Sequence, residues 1–111
     1  MKTLTRIAAV TASVATFASA AWAEDPIKIA LVHGLSGSSF EAFSKQAQTG
    51  FELGIEYATD GTNTVKGHKI ELIIKDTQFK PDVARAVLAE AYGDDEVLMA
   101  IGSTSSGVAK G

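Results

Sequence analysis

Three short apolar runs recur along the chain, spaced so that one helix fits between each pair. They are Ile27-Lys28-Ile29-Ala30-Leu31-Val32-His33, Lys69-Ile70-Glu71-Leu72-Ile73-Ile74-Lys75-Asp76 and Val97-Leu98-Met99-Ala100-Ile101. The first has one charge near its start and is otherwise apolar on both faces, as strands buried in parallel sheets are. In the second, Ile70, Leu72 and Ile74 share one face while Glu71, Ile73 and Lys75 share the other. Two charges on one face suit an edge strand.

The stretches between these runs change period. From about residue 40 to 58, Phe43, Ala47, Gly50, Phe51, Gly54, Ile55 and Ala58 fall on one helical stripe. Gly50 and Gly54 are expected to lie on its buried side and let the helix approach the sheet closely. Ser38 or Ser39 can cap its start, and Thr59-Asp60-Gly61 ends it. Thr62 to His68 reads as a polar connection turning at Lys66-Gly67. Pro81 then suits a first helical position and Asp82 a first turn, with Val83, Val87, Leu88 and Ala91 as the apolar stripe and Gly93 as the end. Val108-Ala109-Lys110 reads as the first turn of a third helix. The order β-α-β-α-β-(α) gives an α/β fold, a parallel three-layer sandwich with right-handed crossovers.

Residues 1–23 stand apart. Lys2 and Arg6 precede a moderately apolar stretch, Ile7 to Ala21, and Ala21-Trp22-Ala23 presents small residues where a signal peptidase reads. This is a signal peptide in pattern; a cut after Ala20 is the alternative. Thr11, Ser13, Thr16 and Ser19 interrupt the stretch, which falls short of the roughly 20 apolar residues a membrane span needs. The remaining 88 residues, 24–111, carry eight Lys/Arg and thirteen Asp/Glu, a net charge of −5. That balance argues against a nucleic-acid partner. No cysteine is present, so neither a disulfide nor a lipid anchor on cysteine is expected. The expected place is an oxidising extracytoplasmic space, most simply a periplasm. The sequence stops one turn into the third helix, so 24–111 reads as the first part of a larger binding lobe.

Parallel sheets hold ligands at the carboxyl ends of their strands. Those ends are His33–Ser39, Asp76–Phe79 and Gly102–Gly107, and two of the three are rich in Gly and Ser. Dinucleotide binding is not supported, since Gly34 and Gly37 do not make G-x-G-x-x-G and Asp76 lies about twice the expected 20 residues away. Gly34-Leu35-Ser36-Gly37-Ser38 nearly matches the G-x-S-x-G of a hydrolase elbow, which keeps Ser36 as an alternative nucleophile. The base and acid it needs would be His33 or His68 or lie beyond residue 111; His33, at the end of the first strand, reads better as a pocket wall or a satisfied core residue, and His68 is in a turn. No metal-ligand spacing occurs, and no cofactor is implied. The favoured reading is non-covalent capture: Ser105 or Ser106 at a helix start offers a hydroxyl beside first-turn N–H groups, suited to a carboxylate. These serines serve equally as helix caps. Phe40 and Phe43 stand at the entrance of the first helix, facing either the ligand or the core.

Taken in order, these segments resemble the periplasmic substrate-binding proteins of ABC importers with the type I fold, in particular the leucine/isoleucine/valine-binding family. The residues that carry the resemblance are Ile27-Lys28-Ile29 into Leu35-Ser36-Gly37, Gly50 with Gly54-Ile55-Glu56-Tyr57, Val65-Lys66-Gly67-His68-Lys69-Ile70-Glu71-Leu72, then Asp76, Pro81 and Ala84, and Ile101-Gly102-Ser103-Thr104-Ser105-Ser106-Gly107. The resemblance implies the start of lobe one of two, with strand order 2-1-3. It implies a small-molecule ligand, an inner-membrane ABC permease as partner and no enzymatic step. It places the ligand's carboxylate at Ser106, with Ser105, Thr104 and Ser36 nearby, and an aromatic wall at Phe43 or Phe40. Lys80-Pro81 replaces the family's frequent Asp-Pro. Phe79 and Ser105 stand where some members carry a disulfide. The segment 34–43 is longer than in strict branched-chain amino acid binders, so amides, short acids and aromatic acids stay open as ligands. A binding module serving a sensor is the further alternative.

Overall fold

A computed structural model of the chain describes residues 24–111; the expected signal peptide lies outside them. The elements are β1 (Ile27–His33), α1 (Glu41–Ala58), β2 (Thr64–Val65), β3 (His68–Asp76), α2 (Pro81–Gly93), β4 (Met99–Gly102) and α3 (Ser106–Ala109). One sheet has the order β2-β3-β1-β4. β1 pairs in parallel with β3 from Ile27↔Ile70 to His33↔Asp76, and with β4 from Ile29↔Met99 to Val32↔Gly102. The three expected strands therefore lie as 2-1-3, with the first strand in the middle.

The fourth strand corrects one expectation. The polar connection at 62–68 is a hairpin: β2 pairs antiparallel with β3 through Thr64↔Lys69 and Val65↔His68. Lys66 and Gly67 form its two-residue loop with φ of 50° and 87°. A two-residue hairpin wants positive φ at both positions, and Gly67 adopts that without steric cost. The sheet is thus mixed. β2 covers only the first two residues of β3, whose remainder is the edge that Glu71 and Lys75 had suggested.

Helices cover both faces. Ala30 and Val32 of β1 pack with Ala91 of α2 and with Val97, and Ile73, Val87, Leu88 and Ala100 surround them. On this face Lys75 reaches Glu90 at 3.0 Å and Asp95 at 2.6 Å, and these hydrogen bonds hold its ammonium above the ordinary lysine pKa. The opposite face of β1 presents Ile29, Leu31 and His33, all buried, with Leu31 fully so. Here α1 turns differently from its expected stripe. Gly50 and Gly54 are exposed, with nothing within 4 Å of where a Cβ would sit, and Phe43 is exposed too. The side facing inward is Ser44, Ala47, Gln48, Phe51 and Ile55. A serine sets this rotation: Ser44 is fully buried because its hydroxyl has a partner in the loop after β4.

α1 is also not capped by Ser38 or Ser39. Phe40 is its N-cap and makes no side-chain cap bond. Residues 37–41 close a turn of their own, in which Phe40 N–H donates to Ser38 Oγ and Gly37 N–H to Glu41 Oε1 at 2.9 Å. Pro81 opens α2 as expected. Among the described residues no helix is long and apolar enough to cross a membrane.

Candidate functional site

The parallel register brings three loops to one edge of the sheet. The loops after β3 and β4 flank the loop after β1, because β1 is the central strand. The expected site residues are distributed over these loops and the start of α1.

Asp76 ties two of the loops together. Its Oδ1 accepts from Leu35 N–H at 2.8 Å, Ser36 N–H at 3.3 Å and Gln78 N–H at 2.9 Å, and its Oδ2 accepts from the Ser36 hydroxyl. Partial burial pushes the Asp76 pKa up, but the bonds from the Ser36 hydroxyl and from the Gln78, Leu35 and Ser36 amides outweigh it, so the carboxyl is held below its ordinary 3.8. Ser36 is therefore occupied in bracing its own loop. Neither histidine is bonded to it: His68 pairs with Glu24 Oε2 at 2.9 Å and with the Asp25 carbonyl oxygen. His33 lies buried with its Nδ1 unpartnered among the described residues, and burial lowers its pKa. It is a core residue, but not a satisfied one.

The turn after β3 is fixed with equal care. Thr77 is fully buried, its N–H bonded to His33 O and its carbonyl to Lys80 N–H. Phe79 N–H donates to Thr77 Oγ1 at 3.3 Å. Gln78 and Phe79 both take positive φ, 51° and 57°. The Phe79 ring then lies over Gly34, where a Cβ would fall 2.5 Å from the ring, and 6.5 Å from the centre of the Phe40 ring.

The third loop is held by neutral groups. Thr104 Oγ1 and Ser44 Oγ are 2.6 Å apart, joining the loop after β4 to α1. Ser105 is the N-cap of α3; its Oγ accepts from Val108 N–H, and its own N–H donates to Ser103 Oγ. Ser106 begins α3 and is exposed. Phe40 and Phe43 are exposed as well, at 66% and 61%. The edge thus presents one serine hydroxyl, a hydroxyl-rich loop and a set of phenylalanine rings, which suits a small ligand with a polar end and an apolar body. Among the described residues no group of three or more His, Cys, Asp or Glu is placed to hold a metal ion.

The roles of three residues that organise this edge escape sequence reading. Ser44 sits on a helical stripe where only apolar residues attract notice. Asp76 and Phe79 act on a loop some 40 positions away in the chain; an Asp ending a strand just before a turn is the only local signal.

The comparisons with known proteins bear on the family and the fold. A branched-chain amino acid ABC transporter protein from Rhodopseudomonas palustris is 53% identical, with a TM-score of 0.73 over 75% of this chain and 22% of that one. The leucine-binding protein LivK from Thermotoga maritima is 27% identical, with a TM-score of 0.66 over 76% of this chain and 23% of that one. A solute-binding protein of an ABC transporter from R. palustris, solved with 3,4-dihydroxybenzoic acid, is 29% identical, with a TM-score of 0.58 over 68% and 20%. The chain thus spans less than a quarter of each of these structures. No curated protein sequence matches it. The family model for periplasmic binding proteins matches residues 26–111, and the chain belongs to that family, with the type I fold.

Proposed function

We propose that the protein is an extracytoplasmic solute-binding component of an ABC importer. It captures a small carboxylate-bearing molecule, whether amino acid, amide, or short or aromatic acid, and delivers it to an inner-membrane permease. No bond is made or broken. Closure of two lobes around the ligand is the working step, favoured because the closed state binds more tightly. In this reading residues 24–111 begin the first lobe and 1–23 direct export.

The observation that carries the reading is the shared edge. The exposed Ser106 and the braced loop at 103–105 lie at the same end of the sheet as the Phe40 ring and the loop at 34–38. Ser106 is the ligand's carboxylate contact, Thr104 and Ser105 hold the loop that presents it, Ser36 holds the neighbouring loop, and Phe43 or Phe40 faces the apolar part. Replacing Ser106 by Ala in the intact protein is expected to weaken binding by about 1–3 kcal/mol, the cost of an unmet polar group in a closed site. Calorimetric titration with a panel of amino acids, amides and aromatic acids checks this. Unchanged affinity for whichever acid binds would remove Ser106 from the site.

A further inference from the structure

We infer that Phe79 is a specificity-determining residue, whose ring and that of Phe40 form a shelf selecting aromatic over aliphatic carboxylates. The inference rests on the capture reading above and narrows its ligand class.

Phe79 departs from what a bulky residue ordinarily does. Its φ of 57° is an outlier for an aromatic side chain. Such a conformation persists only where the surroundings over-determine it, and such places cluster at ligand sites. Here the surroundings are explicit. Asp76 Oδ1 holds Gln78 N–H, Thr77 Oγ1 holds Phe79 N–H, and the buried Thr77 is bonded to His33 O. The result is a ring fixed across Gly34, where any side chain would collide with it. Core packing alone does not account for this arrangement, since the ring is only partly buried and its aromatic neighbour, Phe40, is 66% exposed. The two rings are tilted by 51° at 6.5 Å. That is the spacing of an edge-tilted aromatic pair, and a third ring added to it continues the same favourable geometry. An aliphatic side chain gains area there, but no such directional contact.

Position supports the choice. Phe79 follows β3 and Ser106 follows β4, the two strands flanking β1. Strands two places apart are separated by about 10 Å. A single-ring carboxylate spans that gap with one end on each loop. Phe79 thereby sets which body fits, while the loop after β4 takes the carboxylate.

The test titrates benzoate and leucine, as aromatic and aliphatic probes, into the intact protein and its Phe79→Ala, Phe79→Leu and Ser106→Ala variants. Wild type is expected to bind benzoate more tightly than leucine. Phe79→Ala and Phe79→Leu should each weaken benzoate by about tenfold and leucine much less, as loss of a ring contact requires. Phe79→Leu keeps the apolar volume and carries the test should Phe79→Ala unfold. Equal losses for both probes, unchanged benzoate binding, or a wild-type preference for leucine would each overturn the shelf. In all three cases a loss in Ser106→Ala leaves the capture reading standing. If wild type binds neither probe nor any other carboxylate, that reading falls with it.

Discussion

The two sides of the binding edge are built by different chemistry. The loops after β1 and β3 are bound to each other through one ionised carboxylate, Asp76, which accepts four hydrogen bonds. The loop after β4 is bound to α1 through a pair of neutral hydroxyls, Ser44 and Thr104. Bonds to an ionised acceptor are roughly twice as strong as neutral ones and depend on pH; a hydroxyl pair is weaker and does not titrate. One side of the site is therefore a rigid shelf with an acid sensitivity. The other is a lighter attachment, suited to the loop that must meet a ligand.

Replacing Asp76 with Ala should break this comparison most visibly. Three backbone N–H groups and one hydroxyl lose their acceptor together. Because the site is partly exposed, water recovers some of that loss, and we expect about 2–3 kcal/mol of destabilisation in urea unfolding. Asp76→Asn should cost less, since an amide oxygen can still serve the N–H groups at Oδ1 while its NH2 donates to the Ser36 hydroxyl. If Asp76→Ala were neutral, the shelf would owe its shape to ring packing alone.

What could be seen in advance follows the same division. α2 opened by Pro81 and the loops at the carboxyl edge were legible, because local pattern and topology rules decide them, and β1 in the centre followed from the family resemblance. The rotation of α1 was not. An apolar count along the helix favours Phe43, Gly50 and Gly54, whereas the buried face is centred on Ser44, whose burial depends on a hydroxyl 60 residues away. The hairpin at Lys66-Gly67 was missed as a strand pair because Lys is not a usual positive-φ residue. Phe79 was noticed only as the end of the loop after the second expected strand and as a non-cysteine. Its role comes from a backbone conformation that no property of phenylalanine announces.

Ser44→Ala tests the lighter attachment. The substitution removes one hydroxyl from a fully buried position and leaves Thr104 Oγ1 without that partner. About 1–2 kcal/mol is expected in the same unfolding measurement, less than for Asp76→Ala, because one neutral bond is lost in place of a charged cluster. Amide exchange should speed up in residues 103–106 and not in 34–38. Faster exchange in both loops would mean that the two attachments are one unit.

The smallest effect is on pH dependence, where only a difference in pKa between folded and unfolded chains counts. The Asp76 pKa is depressed by folding, so the unfolded chain binds its proton first as pH falls. Its stabilising contribution is full above the ordinary value of 3.8 and disappears as pH drops through the lower folded value. His33 is lowered as well, by burial, so as pH falls below 6.5 the unfolded chain takes up its proton before the folded one does. Stability from His33 is likewise present above that pH and lost below it. Unfolding free energy should therefore fall in two steps: first from about pH 6.5 downward through His33, then below about pH 4 through Asp76. His33→Gln should flatten the first step and Asp76→Asn the second. Ser44→Ala should lower the whole curve without changing its shape, because neither hydroxyl of that pair titrates. A curve for Ser44→Ala that lost either step would show that the neutral attachment governs the charged one, and would reverse the assignment of the rigid side of the edge.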